Sequence, residues 1–181
     1  MTEVGNVYGQ ALYALARDEK LSKQILQQLR VLADAFGQEP AFLRLLSNPS
    51  LTKETRCQII DDSFRGKIHG YVLNFLKILS EKGYTKHFPD CVLAYQEQYN
   101  RDNGILPVQA ITAIPLTAEQ STKLTEKLAR ITGKTVELTN RVDTACMGGV
   151  RLEYDGKCMD DTVSHRLESV RSLLKNTVLG S

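Results

Sequence analysis

The chain has no tryptophan, no excess of charge of either sign, no paired cysteines and no long apolar run, and each absence excludes something. Lys and Arg number 23 against 21 Asp and Glu, a formal net charge of +2. The stretch before Gly104 holds 13 basic and 12 acidic residues, and the stretch from it onward 10 and 9. Neither half is a basic arm or an acidic tail, so the charge gives no support to nucleic-acid binding. Cys57, Cys91, Cys146 and Cys158 are widely spaced, without the short C-x-x-C spacing of a structural zinc site. They read as four reduced thiols, mostly buried, with no metal or disulfide role. No apolar stretch approaches the ~20 residues of a membrane span; the best, Tyr71 to Leu79, is broken by Asn74 and Lys77. Residues 1–20 lack a basic start and carry Arg17, Asp18, Glu19 and Lys20 where a secretory signal would be apolar. The expectation is a cytoplasmic protein, held to a membrane only through partners.

What is present reads as a folded α+β chain. Hydrophobic residues are 42% and charged residues 24%, ordinary for a globular protein and against disorder. Val4, Tyr8, Ala11, Leu12 and Leu15 recur at helical spacing. A second helix is predicted from Leu21 to Phe36, with Gly37 as its stop. A short third begins at Pro40 and ends at Asn48-Pro49. Thr52 offers an N-cap for a fourth over Lys53 to Phe64. The fifth, Ile68 to Lys82, is apolar over a wider stripe than one core-facing row requires, and Gly83 suits its end. Phe88 to Tyr99 is the sixth.

The pattern changes after Asn103-Gly104. Pro107 to Ile114 alternates as a strand. Thr117 with Gln120 is a capping box for a helix with Leu124, Leu128 and Ile131 as its buried stripe. Lys134 to Thr139 reads as a strand, and Asp155-Gly156 turns a hairpin between Gly149–Tyr154 and Lys157–Met159. A last helix carries Val163, Leu167, Val170 and Leu174. The prediction is an N-terminal six-helix bundle over 1–104, followed by a small C-terminal α/β domain over 105–181 of order β-α-β-β-β-α, with Gly104 as boundary and hinge.

Catalytic patterns are missing. His69, His87 and His165 form no metal-protease spacing. Gly148-Gly149 lacks phosphate-loop spacing and no helix starts after it; it reads as a glycine pair entering a strand where backbone comes close to a neighbour. Cys146, Asp160 and His165 have no local motif for a cysteine nucleophile. Asp160-Asp161 reads as a cap of the last helix. Asp61-Asp62, near a helix C-terminus, is slightly unfavourable there and has no account at this level. Aromatics between Tyr84 and Tyr99 mix with Lys86 and His87, but Asp90 and Glu97 make this a solvated face rather than a base-stacking one.

Several segments together resemble one family. Tyr8 to Ala16 (YGQALYALA) resembles the opening helix of the delta subunit of F-type ATP synthase, called the oligomycin-sensitivity-conferring protein in mitochondria. Leu46-Ser-Asn-Pro49, with Lys53 soon after, resembles the family's helix break. Asn74 to Leu79 (NFLKIL) with Gly83 resembles its fifth helix, and Ile111 to Leu116 with Gln120 its linker strand and capped helix. Val142-Asp143, Met147 to Val150 and Met159-Asp160 resemble its C-terminal signature. The likeness is collinear over nearly the whole chain. It departs at Tyr84, where the family usually has Arg, and at Asp160-Asp161-Thr162, where it usually has Asp-Gly-Ser.

The resemblance implies a stator subunit of a rotary ATP synthase with no active site, no cofactor and no metal. The N-terminal bundle would bind N-terminal helices of the alpha subunits on top of the catalytic head. The C-terminal domain would bind the end of the b-subunit peripheral stalk, on the cytoplasmic side of the bacterial cell membrane. Surplus apolar surface on the first and fifth helices fits a groove for an amphipathic helix. Its expected residues are Tyr8, Ala11, Leu15, Asn74 and Ile78: Ala11 for close approach, Leu15 and Ile78 as apolar floor, Tyr8 and Asn74 as polar edges. For the stalk they are Gly148, Gly149 and Leu167. Two other classes compete: a small enzyme with a site between the domains, which would need titratable groups converging on a cleft, and a nucleic-acid-binding module, which would need a basic face.

Overall fold

A computed structural model describes residues 2–48, 50–146 and 148–162. The chain is α+β and divides into two compact units, Met1–Tyr99 and Asn100–Ser181. Helices α1 (Glu3–Asp18), α2 (Ser22–Gln38), α3 (Pro40–Leu46), α4 (Lys53–Phe64), α5 (Gly70–Glu81) and α6 (Phe88–Asp102) come first. Strand β1 (Ile105–Thr112), helix α7 (Ala118–Thr132) and strands β2 (Thr135–Val142), β3 (Val150–Tyr154) and β4 (Lys157–Asp160) follow.

In the first unit the helices share one apolar core. Phe36 lies at its centre, with ring centroids 5.5 Å from Phe42, 6.1 Å from Phe64 and 5.2 Å from Phe88. Burial of each such side chain contributes about 1.5–3 kcal/mol. Tyr95 is buried beside Tyr13, and its hydroxyl donates to the Ser22 carbonyl at 2.9 Å, so no buried hydroxyl is left idle there. Helix α1 meets α6 through Gly5 and Gly9. A methyl at Gly9 would run into the Cys91 carbonyl and come within 2.8 Å of the Ala94 methyl, and one at Gly5 would run into the Asp90 side chain. Small residues four apart thus set the approach of two backbones. The N-terminus of α1 is tied to the same helix, because Thr2 donates both its N–H (3.1 Å) and its hydroxyl (2.7 Å) to Asp90.

Several boundaries differ from the sequence reading. Gly37 lies inside α2, which runs on to Gln38 until Glu39 and Pro40 start α3. Helix α5 begins at Gly70 because His69 caps it: its Nδ1 accepts the Tyr71 N–H at 3.2 Å, while its own N–H donates to Gln28 on α2 at 2.8 Å. Helix α6 continues past Tyr99 to Asp102. The Asp61-Asp62 pair also gains its account. Lys77 Nζ on α5 lies 2.7 Å from both Asp61 carboxylate oxygens, with Arg65 at 3.2 Å, so Asp61 is an α4–α5 link rather than a helix-end defect.

The sheet of the second unit has the order β2-β1-β3-β4, with β1–β2 parallel and the other pairs antiparallel. Strand β1 starts two residues earlier than expected and contains Pro107. Carbonyls of Gly104 and Thr112 accept from the β2 side, so even-numbered groups of β1 face β2 and odd-numbered groups face the other way. The β1–β3 ladder covers only Gln109 to Thr112, so the missing N–H of Pro107 falls on an unpaired stretch of edge and costs no bond. Strand β1 ends at Thr112 because Asn140 holds the exit: its Nδ2 donates to the Ala110 carbonyl and the Thr112 hydroxyl, and its Oδ1 accepts the Leu116 N–H. The β3–β4 turn has Asp155 at φ 52° and Gly156 at 72°, the pair of left-handed positions such a tight hairpin needs. Helix α7 differs most. Its expected buried stripe is only partly covered: Leu124 and Leu128 are half-buried and Ile131 is 72% exposed. The helix covers β2 and β1, leaving an apolar groove open toward β3 and β4.

Candidate partner-binding surface

Helix α1 has two apolar faces. Gly5, Gly9, Leu12, Tyr13 and Ala16 are buried toward the core. Beside them lie Tyr8, half-buried, with Ala11 and Leu15, exposed. Helix α5 repeats the arrangement. Val72, Phe75, Leu76 and Leu79 are buried, whereas Asn74 is exposed and Ile78 is 36% exposed. The expected groove residues therefore stand next to the core on both helices without belonging to it. Tyr8 reaches the end of α5: its ring meets Tyr84 edge-on, with centroids 5.9 Å apart. Tyr84 is the position where the family likeness departs, and here it supplies an aromatic wall in place of a cation. The polar margin is the Lys77–Asp61 pair, in which the hydrogen bond from Lys77 and the charge of Arg65 hold the Asp61 carboxyl below its ordinary range.

Sequence reasoning missed Val7, which is 59% exposed on α1. It falls outside the Val4–Tyr8–Ala11–Leu15 row, and its signal is an apolar residue four positions before Ala11. Isolated exposed apolar residues are ordinary, but Val7, Leu15 and Ile78 lie on helices whose opposite faces already supply the core.

The other candidates take structural roles. Gly149 has φ 83°, and a side chain there would run into the Asp161 carbonyl and come within 3.0 Å of the Thr162 Cα. Only glycine suits both conditions. Gly148 is half-buried, with its N–H on the Cys146 carbonyl at 2.7 Å. Leu167, His165 and the last predicted helix lie outside the described residues. Asp160 accepts from the Thr162 N–H at 3.0 Å and hydroxyl at 2.6 Å, so its carboxylate is engaged in shaping the chain after β4. The thiols are less uniformly buried than expected: Cys91 and Cys146 are buried, Cys57 is half-buried and Cys158 exposed. Burial pushes the Cys91 thiol up to about 11, and burial with the nearby Glu81 carboxylate raises that of Cys57, so neither is an activated nucleophile. Among the described residues no group of three His, Cys, Asp or Glu side chains could hold a metal ion, and no helix is long and apolar enough to cross a membrane.

The family model for the ATP synthase delta (OSCP) subunit matches residues 4–174. The chain belongs to that family. Among its relatives are ATP synthase delta subunits of Alkaliphilus oremlandii, 30% identical over 97% of this chain and 98% of that one, and of Lactobacillus delbrueckii subsp. bulgaricus, 32% identical over 95% and 96%. A chain of the Toxoplasma gondii mitochondrial ATP synthase hexamer has the same fold, with a TM-score of 0.76 at 16% identity over 96% of this chain and 98% of that one. The delta (OSCP) subunit is a structural component of the peripheral stalk and does no chemistry itself, so its site is a set of surfaces that bind other ATP synthase subunits.

Proposed function

We propose that this delta-family chain joins the alpha-subunit N-termini of the catalytic head to the b-subunit stalk, on the cytoplasmic side of a bacterial membrane. The observation that carries the reading is the exposed apolar surface of α1 and α5, with Leu15 43% and Ile78 36% exposed beside buried Leu12, Ala16, Phe75 and Leu79. An amphipathic helix laid over it would cover Val7, Leu15 and Ile78, with Tyr8 and Asn74 at its edges and the small Ala11 allowing close approach. The second unit would meet the stalk. Gly148 and Gly149 would act there by shaping the backbone before β3, and Leu167 through the C-terminal segment. Such a subunit resists torque by holding two partners at once, which requires binding surfaces rather than a titratable cleft.

The test is calorimetric titration of the whole chain with a peptide of its own organism's alpha-subunit N-terminus. Saturable one-to-one binding at micromolar affinity or tighter, about 8 kcal/mol or more, is expected. Ile78→Glu should stay folded, because the side chain is already partly in solvent, and should weaken binding by about tenfold or more. Unaltered affinity in a folded Ile78→Glu chain would remove α5 from the site, and no binding by the unaltered chain would overturn the reading.

A further inference from the structure

The apolar groove of the second unit has a volume of about 340 Å³ and lies between α7 and the β1, β3 and β4 strands. Its walls include Leu124, Leu128 and Ile131 on one side and Val108, Leu152 and Met159 on the other. Ile131 and Met159 are 72% and 57% exposed. A four-stranded sheet with one helix on this face leaves about half of it uncovered, and an α7 with no buried residue gains little from its own apolar stripe.

We propose that the chain's own residues 163–174 close this groove, seating Val163, Leu167, Val170 and Leu174 as one helical face. Connectivity favours this occupant. The chain leaves β4 at the groove itself, since Asp161 is part of its wall. Its heading is set there: Thr162 is 3% exposed and held by Asp160, and the Asp161–Thr162 backbone packs on Gly149. The sequence that follows places apolar residues at i, i+4, i+7 and i+11, a single helical stripe about 18 Å long at 1.5 Å per residue. A tethered segment acts at a local concentration in the millimolar range, so it outcompetes a free helix of similar apolarity. The proposal stands apart from the stator reading and takes Leu167 out of direct contact with a stalk. A stalk helix aimed at this groove would have to displace residues 163–174 first.

The absence of tryptophan supplies the test. In full-length Leu167→Trp the single indole should emit to the blue of the same chain in denaturant and be shielded from iodide. Ser172→Trp, on the opposite side of the predicted stripe, should be quenched freely. Adding Ile131→Glu, a change on an exposed wall, should move the Leu167→Trp emission to the red. Equal quenching of the two reporters would overturn the proposal. Hydrogen exchange of the unaltered chain decides the matter if Leu167→Trp does not fold. Amides of 163–174 should exchange about tenfold or more below free-chain rates; free-chain rates, or protection appearing only after a b-stalk helix peptide is added, would overturn it. The stator reading fails instead on the alpha-subunit peptide, which addresses no residue of this unit.

Discussion

A glycine in mid-helix normally costs about 1 kcal/mol relative to alanine. Gly9 inverts that expectation, because its missing Cβ is what lets α1 lie on the Cys91 carbonyl and the Ala94 methyl. Gly9→Ala should therefore lower stability by about 1–3 kcal/mol, the usual cost of overpacking, seen as a lower urea midpoint at unchanged slope; a raised midpoint would show that the two helices can separate without cost. Asp61 gives a prediction in pH. Its carboxyl is held low in the folded chain, first by the hydrogen bond from Lys77, so folding favours the charged form. That contribution is present above the ordinary carboxylate range near ~4 and is lost as pH falls through it toward the lower folded value. Asp61→Asn should lower the melting temperature at pH 7, and the gap from the unaltered chain should close at acid pH; a gap independent of pH would mean that the ion pair contributes nothing.

The capped helix is the element where local sequence and structure agree best. The Thr117 hydroxyl accepts the Gln120 N–H at 3.2 Å, and the Gln120 side chain accepts the Thr117 N–H at 2.9 Å. Thr117→Ala should cost about 0.5–2 kcal/mol, and the loss should appear in hydrogen exchange of α7 and leave α1–α6 untouched. Capping boxes, the Asp155-Gly156 hairpin and 3.6-residue periodicity are local signals, so these elements were legible from the chain alone. Asn140, His69 and the Gly5–Gly9 pair were not, because each acts on a partner far along the chain: Asn140 on Ala110, His69 on Gln28, Gly9 on Cys91. Periodicity also counts apolar residues without saying what covers them. It placed Leu15 and Ile131 in stripes, and both remain largely in solvent. For the surface on α1 and α5 the same ambiguity was informative, since an apolar stripe wider than its core implies a second partner.

At the scale of the whole chain, the apolar core of the first unit runs from Leu12 to Tyr95, with Tyr99 packed against it, while that of the second runs from Leu106 to Leu152, with Tyr154 packed against it. Each core is drawn from one continuous stretch of sequence. A cut at Tyr99 would still sever α6, whose last turn reaches Asp102, and would expose the carbonyls that this turn satisfies. A cut after Gly104 spares the helix. Residues 1–104 should therefore fold alone, with one cooperative thermal transition and a helical circular-dichroism spectrum. If the alpha-subunit site is built from α1 and α5, the fragment should bind the alpha-subunit peptide with the affinity of the whole chain. A fragment that folds but binds about tenfold more weakly would move part of the site into the second unit. One that does not fold would show that the helices depend on residues beyond Gly104, although their own core contains none of them.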